Sequence, residues 1–255
     1  MAVSKFVVVD RAAMPVKAWR SLLSGRERAE VSTFTGARVD RTVTSRVLVK
    51  YLTVSEDGPG YRELRADQID AVPADRLASV EALSGPAGKR RTAKVVRDGH
   101  EIEDSVSSAH CGQFTAAVQG RGRLGLDLER IEGRRPEFYR QMFSDAESEW
   151  VESIHAKAGA STDAAFTFLW GVKEAFLKAS NWPGLTVWNF SHWTVRAGDD
   201  IAAVLQPEPA VASVNVGGCI HATGVSQGFE IIARRVGDML LVTVQYEAHS
   251  ETESI

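Results

Sequence analysis

Residues Arg123-Leu-Gly-Leu-Asp-Leu-Glu129 alternate strictly, with Leu124, Leu126 and Leu128 on one side and Gly125, Asp127 and Glu129 on the other. A period of two over this length specifies a half-buried strand. It also sets two carboxylates on one face with only a glycine beside them. Like charges so close repel. Either the strand end runs out into solvent with both acids hydrated, or a cation, most simply a divalent one, sits between them.

A second stretch bears on that choice. Phe166, Trp170, Glu174 and Lys178 recur at i+4 and form one slowly rotating row on a helix, with Leu169, Phe176 and Leu177 as the neighbouring apolar stripe. The row starts with two aromatics and ends in a glutamate and a lysine. Glu174 and Lys178 make either an ordinary surface pair or something more specific. In the second case Glu174 joins Asp127 and Glu129 as a third oxygen ligand, and Lys178, one turn on, faces an anion bound to the metal.

At 255 residues the chain can bury one large core or two smaller ones. Its 30 basic and 33 acidic residues leave a net charge of −3, which argues against a nucleic-acid-binding protein. Cys111 and Cys219 are the only cysteines, a usage that suits a reducing compartment. The apolar run Phe6–Val9 is too short for a signal peptide or a membrane span. A soluble, cytoplasmic protein is expected. A basic cluster of Lys89, Arg90, Arg91 and Lys94 reads as a solvated loop or, less commonly, a phosphate-binding one.

Taken in order, Phe6–Val9 reads as a first strand, and Ala18 to Thr53 as helical, broken at Gly36. Asp57-Gly-Pro-Gly60 reads as a turn, and residues 60 to 105 as short strand-like pieces. Ser107–Gly112 reads as a small polar loop leading into a strand at Phe114–Val118. Gln119-Gly-Arg-Gly122 then reads as a hairpin turn into the strand at Leu124, which would bring His110 near Asp127. Ser144-Asp-Ala-Glu147 fits a capping box, and Thr162 or Asp163 a cap for a helix over Ala164–Ala179. Strands are expected at Leu185–Phe190, His192–Arg196, Phe229–Arg235 and Leu240–Tyr246, the last two joined at Gly237-Asp238. The polar tail after Glu247 reads as disordered, and no internal repeat is evident.

Together the two motifs resemble those of the surfactin-type 4′-phosphopantetheinyl transferases. Gly125-Leu-Asp127-Leu-Glu129 is similar to the family's Gly-(Val/Ile)-Asp-x-Glu. Trp170, Lys173, Glu174, Ala175 and Lys178 are similar to its Trp-x-x-Lys-Glu-(Ala/Ser)-x-x-Lys. Phe143-Ser-x-x-Glu147, Arg46-Val-Leu-Val-Lys50 and the Gly88–Lys94 segment extend the likeness over roughly residues 5 to 200.

The resemblance implies an α+β fold, a pseudo-dimer of two similar α/β halves. These are expected at 1–121 (the coenzyme A nucleotide side) and 122–246 (the metal site and catalytic helix), with 247–255 as a tail. A chain that holds both halves is expected to be a monomer. The implied activity is that of a holo-[acyl-carrier-protein] synthase type transferase. It moves phosphopantetheine from coenzyme A, the co-substrate, to a serine hydroxyl of an acyl or peptidyl carrier protein and releases adenosine 3′,5′-bisphosphate.

The same likeness implies that Asp127, Glu129 and Glu174 hold Mg²⁺, that Glu174 acts as general base on the carrier serine, directly or through a metal-bound water, and that Lys178 stabilises or protonates the leaving phosphate. His110, Ser108, Arg41, Lys89, Arg90 and Arg91 would contact coenzyme A phosphates, and Arg134, Arg135, Phe138, Tyr139 and Met142 would form part of a carrier-docking surface. Ala109 departs from the family's Ser-His pair, and Arg90 from its Gly-Lys-Pro. The competing readings are a metal-dependent hydrolase of the coenzyme A pyrophosphate and a non-catalytic carrier-binding module.

Overall fold

The computed structural model describes residues 4–56, 58, 60–83, 94–180, 186–209, 212–222 and 225–247. The chain divides into two compact units, Met1–Leu124 and Gly125–Ile255, each mixing helices with sheet.

In the first unit the order is β1 (Lys5–Asp10), α1 (Val16–Trp19), α2 (Gly25–Val31), α3 (Ala37–Val54), β2 (Gly60–Glu63), α4 (Ala66–Asp70), α5 (Ala74–Ala78), β3 (Val80–Leu83), β4 (Lys94–Arg97), β5 (His100–Glu101), β6 (Ser105–Cys111) and β7 (Phe114–Gly120). One sheet runs β2-β1-β7-β6 and a small one β3-β4-β5. The β-branched run Val7-Val-Val9 is buried in the centre of the larger sheet. Gly36, at φ +55°, starts α3, whose Val43, Val47, Leu48 and Leu52 enter the core. Asp57 and Pro59 of the expected turn and the cluster residues Lys89, Arg90 and Arg91 lie outside the described residues. Lys94 opens β4 and pairs with Glu101 at 2.7 Å.

The second unit contains β8 (Arg123–Arg130), α6 (Pro136–Met142), α7 (Asp145–Ala158), α8 (Thr162–Ala179), β9 (Trp193–Ala197), α9 (Ala202–Leu205), β10 (Ser213–Ala222), β11 (Val225–Val236) and β12 (Met239–Tyr246). Its sheet order is β8-β12-β11-β10-β9. The apolar face of α8, including Phe168, Val172 and Phe176, fills the core over this sheet.

Several expectations need correction. Ser105–Cys111 is a strand, and its hairpin partner is β7, with Cys111 opposite Phe114 across Gly112 (φ +52°). β7 and β8 belong to different sheets, so no hairpin joins them, and the argument that brought His110 toward Asp127 fails. Thr186 onward is not a strand. Val187–His192 is a 3₁₀ helix, entered as the Asn189 side chain accepts from the Thr186 N–H at 3.1 Å. The α8 cap is Ser161, whose Oγ accepts from Ala164 N at 3.3 Å. β10 escapes the pattern because Gly217-Gly218 interrupts it. A Cβ at Gly218 would lie 2.5 Å from Ile231 Cδ1 and 3.1 Å from Arg196 O, so a side chain there would displace its cross-strand neighbours.

The two units also share a structural repeat that the sequence does not announce. In the first unit Ser24 and Glu27 form a capping box at the start of α2. Glu27 Oε1 accepts from Ala82 N of β3 at 2.9 Å, and Glu27 Oε2 pairs with Lys50 of α3 at 2.9 Å. Lys50 Nζ also donates to the carbonyls of Leu77 and Val80. In the second unit Ser144 and Glu147 form the same box at the start of α7. Glu147 Oε1 accepts from Val195 N of β9 at 2.9 Å, and Glu147 Oε2 pairs with Lys173 of α8 at 2.6 Å. Lys173 Nζ donates to Met142 O at 3.0 Å and Phe190 O at 2.8 Å. All four ionic side chains are 0% exposed. Each unit thus ties a helix start, the long helix and a strand with one buried Ser–Glu–Lys knot.

Candidate functional site

The leucines of β8 are buried as expected, but its other face is covered too. A Cβ on Gly125 would fall 1.8 Å from Ala175 O and 2.9 Å from Ala179 N, so the strand backbone lies directly on α8. Only glycine permits that approach. Gly125→Ala is therefore expected to cost about 3 kcal/mol, at the upper end for overpacking, because the obstacle is helix backbone and not a side chain that can turn away. Urea denaturation checks this, and an unchanged midpoint would contradict it.

The close approach aims the two acids at the helix row. Lys178 Nζ donates to Asp127 Oδ1 and to Leu126 O, both at 2.8 Å. Two turns earlier, Trp170 Nε1 donates to Glu129 Oε1 at 3.2 Å. Glu174 stands midway between these residues in the same i+4 row, half-buried. Gly171 lets α8 approach β12 closely, since a Cβ there would lie 2.9 Å from Val242 Cγ2. Sequence reasoning placed Lys178 toward a bound anion, whereas here it pairs with the aspartate.

Asp127 is 6% exposed, and its Oδ2 is buried without a hydrogen-bond partner. Such an atom costs free energy unless something positive meets it. Glu129 is pushed up to about 7, first by burial and then by the Asp127 charge, against the pull of Trp170, Arg134 and Lys178. Two crowded carboxylates, one with an orphan oxygen, are the donor chemistry of a hard divalent cation. Among the described residues, no three His, Cys, Asp or Glu side chains are gathered so as to hold a metal ion. Lys178 and Arg134 instead partner the carboxylate oxygens.

A pH dependence follows from Glu129. Its value in the fold lies above its unfolded value, so the folded state holds the proton longer. In chelator, stability should fall as pH rises from about 4.5 through about 7 and then level. Glu129→Gln should abolish that slope. Parallel slopes for the two proteins in thermal melts between pH 5 and 8 would contradict the assignment.

The first unit carries a basic pocket of ≈ 510 Å³ lined in part by Arg38, Arg41, Ser45, Arg46, Ser108 and His110. Three residues expected to contact phosphate, Arg41, Ser108 and His110, therefore line one cavity. Alternation along β6 puts Ser108 and His110 on the pocket side, while Ala109 is 3% exposed on the other. A hydroxyl at 109 would not face the pocket, whereas the Ser108 hydroxyl is on the side that does. Sequence reasoning missed Arg38 and Ser45. Their signal was the spacing 38, 41, 45 along one face of α3. Arg38 lies over the Phe34 ring at 3.9 Å, and Arg46 is buried against Glu30 at 2.6 Å.

A family model for the 4′-phosphopantetheinyl transferase superfamily matches residues 123–216. The match begins at β8 and ends in β10, so it includes Asp127, Glu129, Glu174 and Lys178. Over this segment the chain is similar to that superfamily, which supports phosphopantetheine transfer in general. No curated protein matches the chain. No helix among the described residues is long and apolar enough to cross a membrane.

Proposed function

We propose that the chain is a holo-[acyl-carrier-protein] synthase type enzyme, moving 4′-phosphopantetheine from coenzyme A to a serine hydroxyl of an acyl or peptidyl carrier protein. The other product is adenosine 3′,5′-bisphosphate. The observation that carries this reading is the seam of Asp127, Glu129, Glu174 and Lys178, with the orphaned Asp127 Oδ2, inside the segment similar to the superfamily.

The reaction replaces one oxygen on phosphorus with another, so charge neutralisation and alignment dominate over covalent chemistry. Asp127 and Glu129, with Glu174, are the residues that would hold Mg²⁺, which when bound neutralises pyrophosphate charge. Glu174, half-buried between Trp170 and Lys178, accepts the serine proton. Lys178 donates a hydrogen bond or a proton to the departing phosphate, and Asp127 and the Leu126 carbonyl hold its ammonium in place. Arg41, Ser108 and His110, joined by Arg38, have the charge and hydrogen-bonding groups to bind the nucleotide phosphates of coenzyme A. One chain carries both residue sets, so it acts as a monomer.

The test is bisphosphate release from coenzyme A and Mg²⁺, followed with and without an apo carrier. Release should depend on the carrier. Equal rates without it would replace transfer by pyrophosphate hydrolysis, and binding without turnover would reduce the protein to a carrier- or coenzyme A-binding module.

A further inference from the structure

Arg134 has no part in the chemistry above, yet it touches one of its carboxylates. Its Nη2 is 3.6 Å from Glu129 Oε2, while its Nη1 is 3.2 Å from Glu132 Oε1. The backbone at this point is pinned. Arg134 N donates to Tyr139 Oη at 2.7 Å, and the Tyr139 ring stacks on Phe166 of α8 with centroids 4.2 Å apart. The Tyr139 hydroxyl in turn donates to Asp163 Oδ1 at 3.4 Å. The side chain is 39% exposed, with its Cζ 5.7 Å from the centre of the Phe138 ring. The main chain is therefore fixed, and the guanidinium lies between two carboxylates, Glu129 and Glu132.

We infer that Arg134 is a built-in competitor of the divalent cation: it neutralises Glu129 when the cation is away and retreats onto Glu132 when the cation takes that carboxylate. This rests on the proposed reading of Glu129 as a metal ligand. A guanidinium and a dication cannot both lie against one carboxylate oxygen without repelling each other. Glu132 lowers the cost of the exchange, because the displaced guanidinium keeps an acceptor already in contact. Arg134 thereby sets how much metal the site needs, and Glu132 tunes Arg134.

The experiment is a Mn²⁺ titration, reading the free aquo ion by electron paramagnetic resonance at fixed ionic strength. The proteins are the wild type, Arg134→Gln, Glu132→Gln and the double variant. Arg134→Gln should bind Mn²⁺ about threefold more tightly than wild type, the scale of a partly exposed ion pair. The gain from Arg134→Gln should be larger in the Glu132→Gln background, where the guanidinium has only Glu129 to hold. Equal gains in both backgrounds would reduce Arg134 to a distant charge and overturn the exchange, since independent effects add. No gain in either background overturns it as well. If the wild type and every variant fail to bind Mn²⁺, the metal reading of Asp127 and Glu129 falls, and this inference with it.

Discussion

Lys173→Met is expected to lower folding stability by about 3–5 kcal/mol, the range for stripping one partner from a buried ion pair. The Glu147 carboxylate would be left in the core at 0% exposure, still accepting from Ser144 N and Val195 N but facing no cation. Met142 O and Phe190 O would lose their donor as well. Burial already draws the Lys173 ammonium down to about 8 in spite of Glu147, so desolvation dominates at this position. Adding Glu147→Gln to Lys173→Met should recover part of that loss, because the unpaired charge is gone while the amide oxygen still accepts from one of the two N–H groups. A double variant less stable than Lys173→Met in urea would contradict the account. The same relation should hold for Lys50→Met and Glu27→Gln. That parallel separates Lys173 from its neighbour Glu174: the first unit keeps the same lysine–glutamate knot, with Tyr51 following the lysine where the second unit has Glu174. Lys173 holds the helix, and the proposed chemistry belongs to the next residue.

Glu174→Gln is the second large effect. The substitution keeps shape and hydrogen-bonding length, removes the proposed proton acceptor, and withdraws one negative charge from the seam. Transfer should fall by about 10³-fold or more, the scale of a lost general base together with weakened charge neutralisation. The melting temperature should stay within the range of a half-buried polar exchange. Initial rates with saturating carrier, read beside a thermal melt, check both halves. Full activity in the folded variant would remove Glu174 from both its roles.

What could be read in the sequence follows from how local its causes are. The period of β8 and the i+4 row of α8 are written in consecutive residues, and both elements stand where they were expected. Strand partnership is not local. The turn at Gln119–Gly122 looks like a hairpin, yet β7 pairs with β1 from the far end of the unit, where the valines of β1 fill the core. Burial of both faces of β8 was also hidden, because Asp127 and Glu129 look like a solvent face. Gly125 was the signal that a backbone lies against it. The ion-pair knots were half visible. Ser144 and Glu147 announce a capping box, but nothing near Lys50 or Lys173 says that a lysine on an amphipathic helix points inward. Along β6, alternation alone assigns Ser108 and His110 to one side and Ala109 to the other, once the segment is known to be a strand and not a loop.

The central claim is that the acids of β8 and α8 serve phosphopantetheine transfer to a carrier serine. Intact mass spectrometry of an apo carrier, incubated with this protein, coenzyme A and Mg²⁺, tests it most directly. The carrier should gain the mass of one phosphopantetheine, lost again when its serine is changed to alanine. A panel of acyl and peptidyl carriers that all keep their apo mass, with folded protein that binds Mn²⁺, would contradict it.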